Sequence, residues 1–193
     1  MTTVGRLPDR DELERARDRT LRDVLPAPGD PALRVLFCGI NPGLVSAATG
    51  HHFARPGNRF WPVLHEAGFT PRLLTPDEQG ELARLGLGLT NMAPRATARA
   101  DELTDDELVA GGQRLRDLVA ERRPDRLAVV GIGAYRTAFG RLAAVVGEQD
   151  HRLGDTRIWV LPNPSGLNAH WSRAAMVAEF ARLREAAGAD PTR

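Results

Sequence analysis

Two spacings of hydrophobic positions alternate along this chain. Val35-Leu36-Phe37-Cys38 is a continuous apolar run ending at Gly39, the pattern of a strand buried on both faces. Leu87-Gly88-Leu89-Thr90, Leu127-Ala128-Val129-Val130-Gly131 and Ile158-Trp159-Val160-Leu161 repeat it. The stretches between them carry helical spacing. A thin stripe of Leu13, Ala16, Leu21 and Val24 predicts a helix from about Asp9 to Val24. The Pro-rich segment 26–31 then breaks the chain. A long Gly- and Pro-rich loop is predicted from Ile40 to Gly57. Asn58 is placed to cap a helix through Phe60, Trp61, Val63, Leu64 and Ala67 that stops at Gly68, with Pro62 tolerated in its first turn. Thr75-Pro76-Asp77-Glu78 opens another helix ending near Leu85-Gly86. Thr104 and Glu107 form a capping box for a helix that Pro124 ends. Residues 134–146 and 172–187 complete the helices. The expectation is an α/β fold, a single domain with a central, mostly parallel four- to five-stranded sheet flanked by helices. Residues 1–31 read as an N-terminal helical arm and linker, 32–188 as the domain and 189–193 as a tail.

Composition narrows the chemistry. The chain has 193 residues, 42% of them hydrophobic and 26% charged, ordinary values for a soluble globular domain. It has no apolar run of the ~18–20 residues that span a bilayer and no apolar leader after Met1, so no membrane association and a cytoplasmic location are expected. A single cysteine, Cys38, excludes a disulfide framework and a four-Cys metal site. All 26 basic residues are arginine. Without lysine there is no side-chain Schiff base and no phosphate-loop lysine. A net charge of +1 leaves no global signature of nucleic-acid binding, so any positive surface must be local.

In a parallel sheet, ligands bind beyond the carboxyl ends of the strands. Three post-strand segments therefore draw attention. In Gly39-Ile40-Asn41-Pro42-Gly43, Pro42 holds Asn41 extended and the Asn41 carboxamide can orient a water or a substrate. Asn-Pro and Pro-Gly are also common turn dipeptides, and a plain β-turn is the simpler account of that loop alone. Thr90-Asn91-Met92 follows the second strand. Asn163-Pro164-Ser165-Gly166-Leu167-Asn168-Ala169-His170 offers N–H groups and Ser165 to a phosphate, and Leu167 as an apolar wedge or a packing contact. If the first and fourth strands are neighbours, their two Asn-Pro loops face one another. The adjacent His51 and His52 diverge and have no third ligand nearby, so neither a metal nor a cofactor is expected. Phe53, on a loop, is either a stacking platform for a planar ring or a core anchor. No Asp or Glu falls in these loops, which leaves the expected cleft without a strong general base.

Together, Gly39-Ile40-Asn41-Pro42-Gly43-Leu44, the stretch from Gly50-His51-His52-Phe53 to Gly57-Asn58-Arg59-Phe60-Trp61, Thr90-Asn91-Met92, and Asn163 to Leu167 resemble the mismatch-specific uracil-DNA glycosylase and thymine-DNA glycosylase family. The resemblance covers about residues 33–183. It implies a uracil-DNA glycosylase-like fold and a monofunctional enzyme, acting as a monomer on double-stranded DNA. Such an enzyme flips uracil or a related damaged pyrimidine mispaired with guanine, hydrolyses its N-glycosidic bond and leaves an abasic site for base excision repair. By position it implies Asn41 as the catalytic residue that holds the attacking water, and Phe53 as the stacking aromatic. Gly43, Ser46, His52, Asn91 and Thr97 become pocket residues. Asn163, Ser165, Gly166, Leu167, Asn168 and His170 become DNA contacts, with Leu167 as the wedge. Ala169 stands where the family often has arginine, a contact that His170 or Arg173 would have to supply. His51-His52 resembles the thymine-processing branch; Ser46 and Asn163 to Leu167 resemble the bacterial mismatch-uracil branch. A damage-recognising DNA-binding module with little activity, and more remotely a small-molecule N-ribosyl hydrolase, are the competing readings.

Overall fold

The computed structural model describes residues 6–17, 19–166 and 168–188. Its strands are β1 (Val35–Gly39), β2 (Leu87–Asn91), β3 (Arg126–Val130), β4 (Gly147–Leu153) and β5 (Thr156–Leu161), ordered β2-β1-β3-β5-β4 in one sheet. The β1–β2, β1–β3 and β3–β5 pairs are parallel, and β4 runs antiparallel to β5. The helices are α1 (Arg10–Arg15), α2 (Leu44–Thr49), α3 (Phe60–Glu66), α4 (Glu81–Arg84), α5 (Asp105–Arg122), α6 (Ile132–Phe139) and α7 (Arg173–Ala186).

Side chains alternate across each strand, so the sheet has two apolar faces. Val35, Phe37, Leu89 and Trp159 pack against α3 and α7 through Phe60, Leu64 and Phe180. Leu36, Cys38, Val129 and Ile158 pack against α5 and α6 through Leu115 and Tyr135. This double cover is why the central strands read as unbroken apolar runs rather than as alternating ones. It also aligns the carboxyl ends of β1, β2, β3 and β5 on one edge, where the post-strand loops emerge.

The structure corrects several expectations. The first helix covers only Arg10–Arg15 behind an Asp9–Glu12 capping box. The chain beyond it turns extended, and Val24 bridges to Leu89 with paired bonds of 2.8 and 2.9 Å. A backbone hydrogen-bonded to β2 has no use for helical bonds, so tertiary pairing overrides the weak stripe. The 40–57 loop contains α2, whose six residues are too few to show a period. The segment after Thr75 divides into a single 3-10 turn, Pro76–Glu78, and the short α4. The helix expected over 134–146 ends at Phe139 because Gly140 takes a left-handed conformation. The chain then leads into β4, whose Gly-Glu-Gln-Asp-His-Arg-Leu sequence has almost no apolar content. An edge strand with one neighbour needs little. Finally, the first and fourth expected strands, β1 and β5, are not neighbours, because β3 lies between them.

Candidate active site

A cavity of about 590 Å³ opens at the carboxyl edge of the sheet, and its wall includes Asn41, Phe53, Asn91, Thr97, Asn163 and Ser165. That volume falls in the range of small-molecule and base-sized pockets. The loops after β1 and β5 both reach it although β3 separates them. β3 turns into α6 at Gly131, so Val130 alone comes up between them into the wall.

Asn41 lies two residues beyond β1 and is half-buried. Its Nδ2 donates to the Arg95 carbonyl at 2.8 Å and to Thr97 Oγ1 at 2.7 Å. Thr97 passes its own hydroxyl proton to the Arg99 carbonyl at 2.7 Å. With both amide hydrogens donated, the carboxamide has one orientation, and Oδ1 is the polar atom left for the cavity. The tether extends further. Arg95 is held by Glu107 at 2.6 and 3.0 Å, and Glu107 completes the capping box of α5 with Thr104. Its two arginine contacts and its bonds to Thr104 hold the Glu107 carboxyl down to about 2.

His52 is only 1% exposed. Its Nε2 faces the Arg22 carbonyl at 3.0 Å, so Nε2 carries the proton and donates it. Nδ1 then accepts from Asn91 Nδ2 at 3.4 Å. Burial lowers the affinity of this ring for a second proton, and His51 adds to that, while the Arg22 carbonyl and Asp23 oppose it. The neutral ring therefore sets the Asn91 amide with its nitrogen toward His52. Asn91 Oδ1 lies over Gly39, its register partner on β1, where an added Cβ would approach it to 2.7 Å.

Phe53 is one of two non-glycine residues with positive φ, at 53°, among the described residues. Such a backbone costs of order 1–3 kcal/mol and persists only where the surroundings enforce it. They do: the Phe53 ring stacks on Phe60 with centroids 3.9 Å apart and 15° between planes. Trp61 Nε1 donates to the His52 carbonyl at 3.1 Å, and the Ala54 N–H donates to Ser46 Oγ at 3.1 Å. Phe53 is thus a core anchor, packed on Phe60 by its ring, and it also lines the cavity. Gly43 and Ser46 line the same wall at the start of α2.

Asn163 Oδ1 accepts from the Ser165 N–H at 3.0 Å, Asn168 Nδ2 donates to the Asn163 carbonyl at 2.9 Å, and the His170 N–H donates to Asn168 Oδ1 at 3.1 Å. The two asparagines thus shape this loop from within. Asn163 and Ser165 reach the large cavity, and Gly166 lines a neighbouring groove. Leu167 lies outside the described residues. Arg173, one candidate to replace the arginine missing at Ala169, is engaged instead with Glu66.

Some wall residues were not foreseen. Leu21 arrives from the N-terminal segment, and Arg55, Arg99 and Asp101 frame the wall. The wall therefore does contain a carboxylate. Arg99 clamps both Asp101 oxygens, at 3.0 and 2.5 Å, which lowers its pKa. A carboxylate so stabilised as an anion is a poor proton acceptor. Cys38 is buried, and desolvation pushes its thiol far up, so it supplies no nucleophile.

A cavity floored by a parallel sheet, with a fixed neutral amide on one wall and an aromatic platform on another, is joined by a match to the family model described as the uracil DNA glycosylase superfamily, over residues 26–186. The chain belongs to that superfamily. Membership carries DNA glycosylase chemistry, hydrolysis of an N-glycosyl bond in DNA, and accounts for the five-stranded α/β architecture. The matched span contains the β1, β2 and β5 loops and α2. Leu21 and the Arg22 carbonyl lie before it, so part of this glycosylase's cavity wall comes from outside the family region.

Proposed function

We propose that this glycosylase is monofunctional and excises uracil, or a related damaged pyrimidine, mispaired with guanine in double-stranded DNA. It flips the nucleotide, hydrolyses its N-glycosidic bond and leaves an abasic site for base excision repair. The observation that carries this reading is Asn41: a carboxamide of the cavity wall tied by both its hydrogens to Arg95 and Thr97, so that Oδ1 is its remaining polar atom.

The physics of the reaction fits that residue. As the bond breaks, positive charge builds on the sugar and negative charge on the departing base. Oδ1 of Asn41 accepts a hydrogen bond from a water and aligns it toward C1′, without the proton-accepting power of a carboxylate. Amides at Gly43 and Phe53 receive charge on the base, and the ring of Phe53 stacks on it. Asn91 offers Oδ1 to an N–H on the base edge, matching the N3–H of uracil. Such a site favours good leaving groups and turns over slowly. The lack of lysine leaves the abasic product uncleaved by any side-chain amine. Ser165, Gly166, Asn168 and His170 serve the DNA backbone, and Leu167 fills the vacated stack.

The test is a panel of duplexes carrying uracil, thymine or modified pyrimidines opposite guanine or adenine, followed by alkali cleavage of abasic product. Wild type is expected to prefer U·G. Asn41→Ala is expected to bind the duplex normally and lose about a hundred- to a thousandfold in single-turnover rate. Full excision by Asn41→Ala would remove the assignment. Binding by wild type without any product would leave only a damage-recognising module.

A further inference from the structure

Arg59 has no carboxylate partner among the described residues. All of its donated bonds go to main-chain carbonyls of a single loop. Nη1 donates to Trp171 at 2.9 Å, and Nη2 donates to both Ser165 and Asn168 at 2.8 Å. The Arg59 N–H adds a fourth bond, to Pro164 at 2.9 Å. These carbonyls lie on both sides of position 167. Nε is buried, and Arg59 is absent from the cavity wall, so this guanidinium meets neither base nor sugar.

The loop is pressed against the same segment at a second point. A Cβ on Gly166 would come within 2.6 Å of the Gly57 carbonyl oxygen, so only glycine permits this approach. On its other side, Arg59 is covalently followed by Phe60, the residue on which the Phe53 platform stacks. The segment from Gly57 to Phe60 thus carries the base platform and the 163–171 loop on one rigid mount.

We propose that Arg59 is a positioning residue that fixes the loop from Asn163 to Trp171 at a set distance from the base platform, and thereby governs engagement of duplex DNA. The inference rests on the glycosylase reading above. A cation at a DNA-facing edge would ordinarily go to phosphate. Here the two terminal nitrogens of the planar fork go to three carbonyls, a geometry that a lysine ammonium cannot reproduce. The residue therefore acts through the loop. Duplex substrate, which needs both strand contacts and filling of the vacated stack, depends on the loop more than a single strand does.

The experiment compares Arg59→Lys and Gly166→Ala with wild type. Single-turnover excision is measured on a U·G duplex and on the same uracil strand unpaired, with the melting midpoint recorded for each protein. Arg59→Lys loosens the loop by removing carbonyl bonds; Gly166→Ala displaces it without touching the guanidinium. Both are expected to lower the duplex-to-single-strand rate ratio about tenfold or more. A ratio unmoved in both variants, with wild type active, overturns the proposal and leaves the glycosylase reading standing. A ratio moved by Gly166→Ala alone overturns the role of the guanidinium. A wild type silent on both substrates removes the glycosylase reading, and the proposal with it.

Discussion

The side-chain nitrogen of Asn41 lies 2.7 Å from Thr97 Oγ1, and that contact makes a residue of the β1 loop depend on a residue beyond β2. The family resemblance implies Thr97 as a pocket residue. In the structure its hydroxyl is committed to Asn41 on one side and to the Arg99 carbonyl on the other. Thr97 positions the amide, and Asn41 presents Oδ1.

Thr97→Val keeps the shape and deletes the hydroxyl. One amide hydrogen of Asn41 loses its acceptor and the carboxamide gains freedom. With a hydrogen bond worth about 1 kcal/mol net, excision of uracil from a U·G duplex is expected to fall about five- to tenfold, while Thr97→Ser stays near wild type. Single-turnover rates for the two variants decide it: equal rates would show that the Arg95 carbonyl alone suffices.

Gly39→Ala places a methyl 2.7 Å from Asn91 Oδ1 and 3.3 Å from Phe53 Cζ. Neither neighbour has room to retreat, since His52 holds the Asn91 amide and Phe60 backs the Phe53 ring. Misplacement of a positioned group by about 1 Å costs on the order of a hundredfold in rate. A loss of that size in excision is expected, with the fold intact by circular dichroism. Activity near wild type would mean that the Asn91–Phe53 geometry does not matter.

His52 gives the protein an acid sensitivity above the carboxylate range. The unfolded chain protonates this ring near pH 6.5, whereas burial delays protonation in the folded state to lower pH. The unfolded state then binds more protons, so stability declines as pH falls from about 6.5 toward the depressed folded value. His151 is shifted in the same direction and adds to the slope. Melting midpoints between pH 7.5 and 5 are expected to fall for wild type and to fall less for His52→Gln. Parallel curves would show that His52 does not titrate differently on folding.

Thr104→Ala removes the N-cap of α5, whose side chain accepts the Glu107 N–H, and is expected to cost about 1 kcal/mol in denaturant unfolding. The same change frees one anchor of Glu107, which holds Arg95, whose carbonyl holds Asn41. A small drop in excision, about two- to threefold, should accompany the stability loss. Unaltered excision would show that the Arg95 tether is stiff without the cap.

Much of the fold was legible because doubly covered strands must be apolar throughout. The runs at Val35, Leu87, Leu127 and Ile158 mark β1, β2, β3 and β5 within two residues. The starts read at Asp9, Thr75 and Thr104 are true ones, since each is fixed by a capping box whose bonds are local, although only the Thr104 box was recognised from sequence. The polar edge strand β4 and the six-residue α2 escaped because each is stabilised by what it packs against. Likewise, Val24 reads as helical until its pairing with Leu89 is known.

The site divides in the same way. The sequence alone determined which groups were on offer: an amide at Asn41, an aromatic at Phe53, and no lysine. Only tertiary structure decided what those groups do. It brought Asp101 to the cavity wall, set the proton of His52 through the Arg22 carbonyl, and gave Arg59 to a loop more than a hundred residues away. The reason is range. Residue type and local bonds act over a few positions, whereas the orientation of a buried polar side chain is set by whichever partner the folded chain leaves within about 3 Å of it.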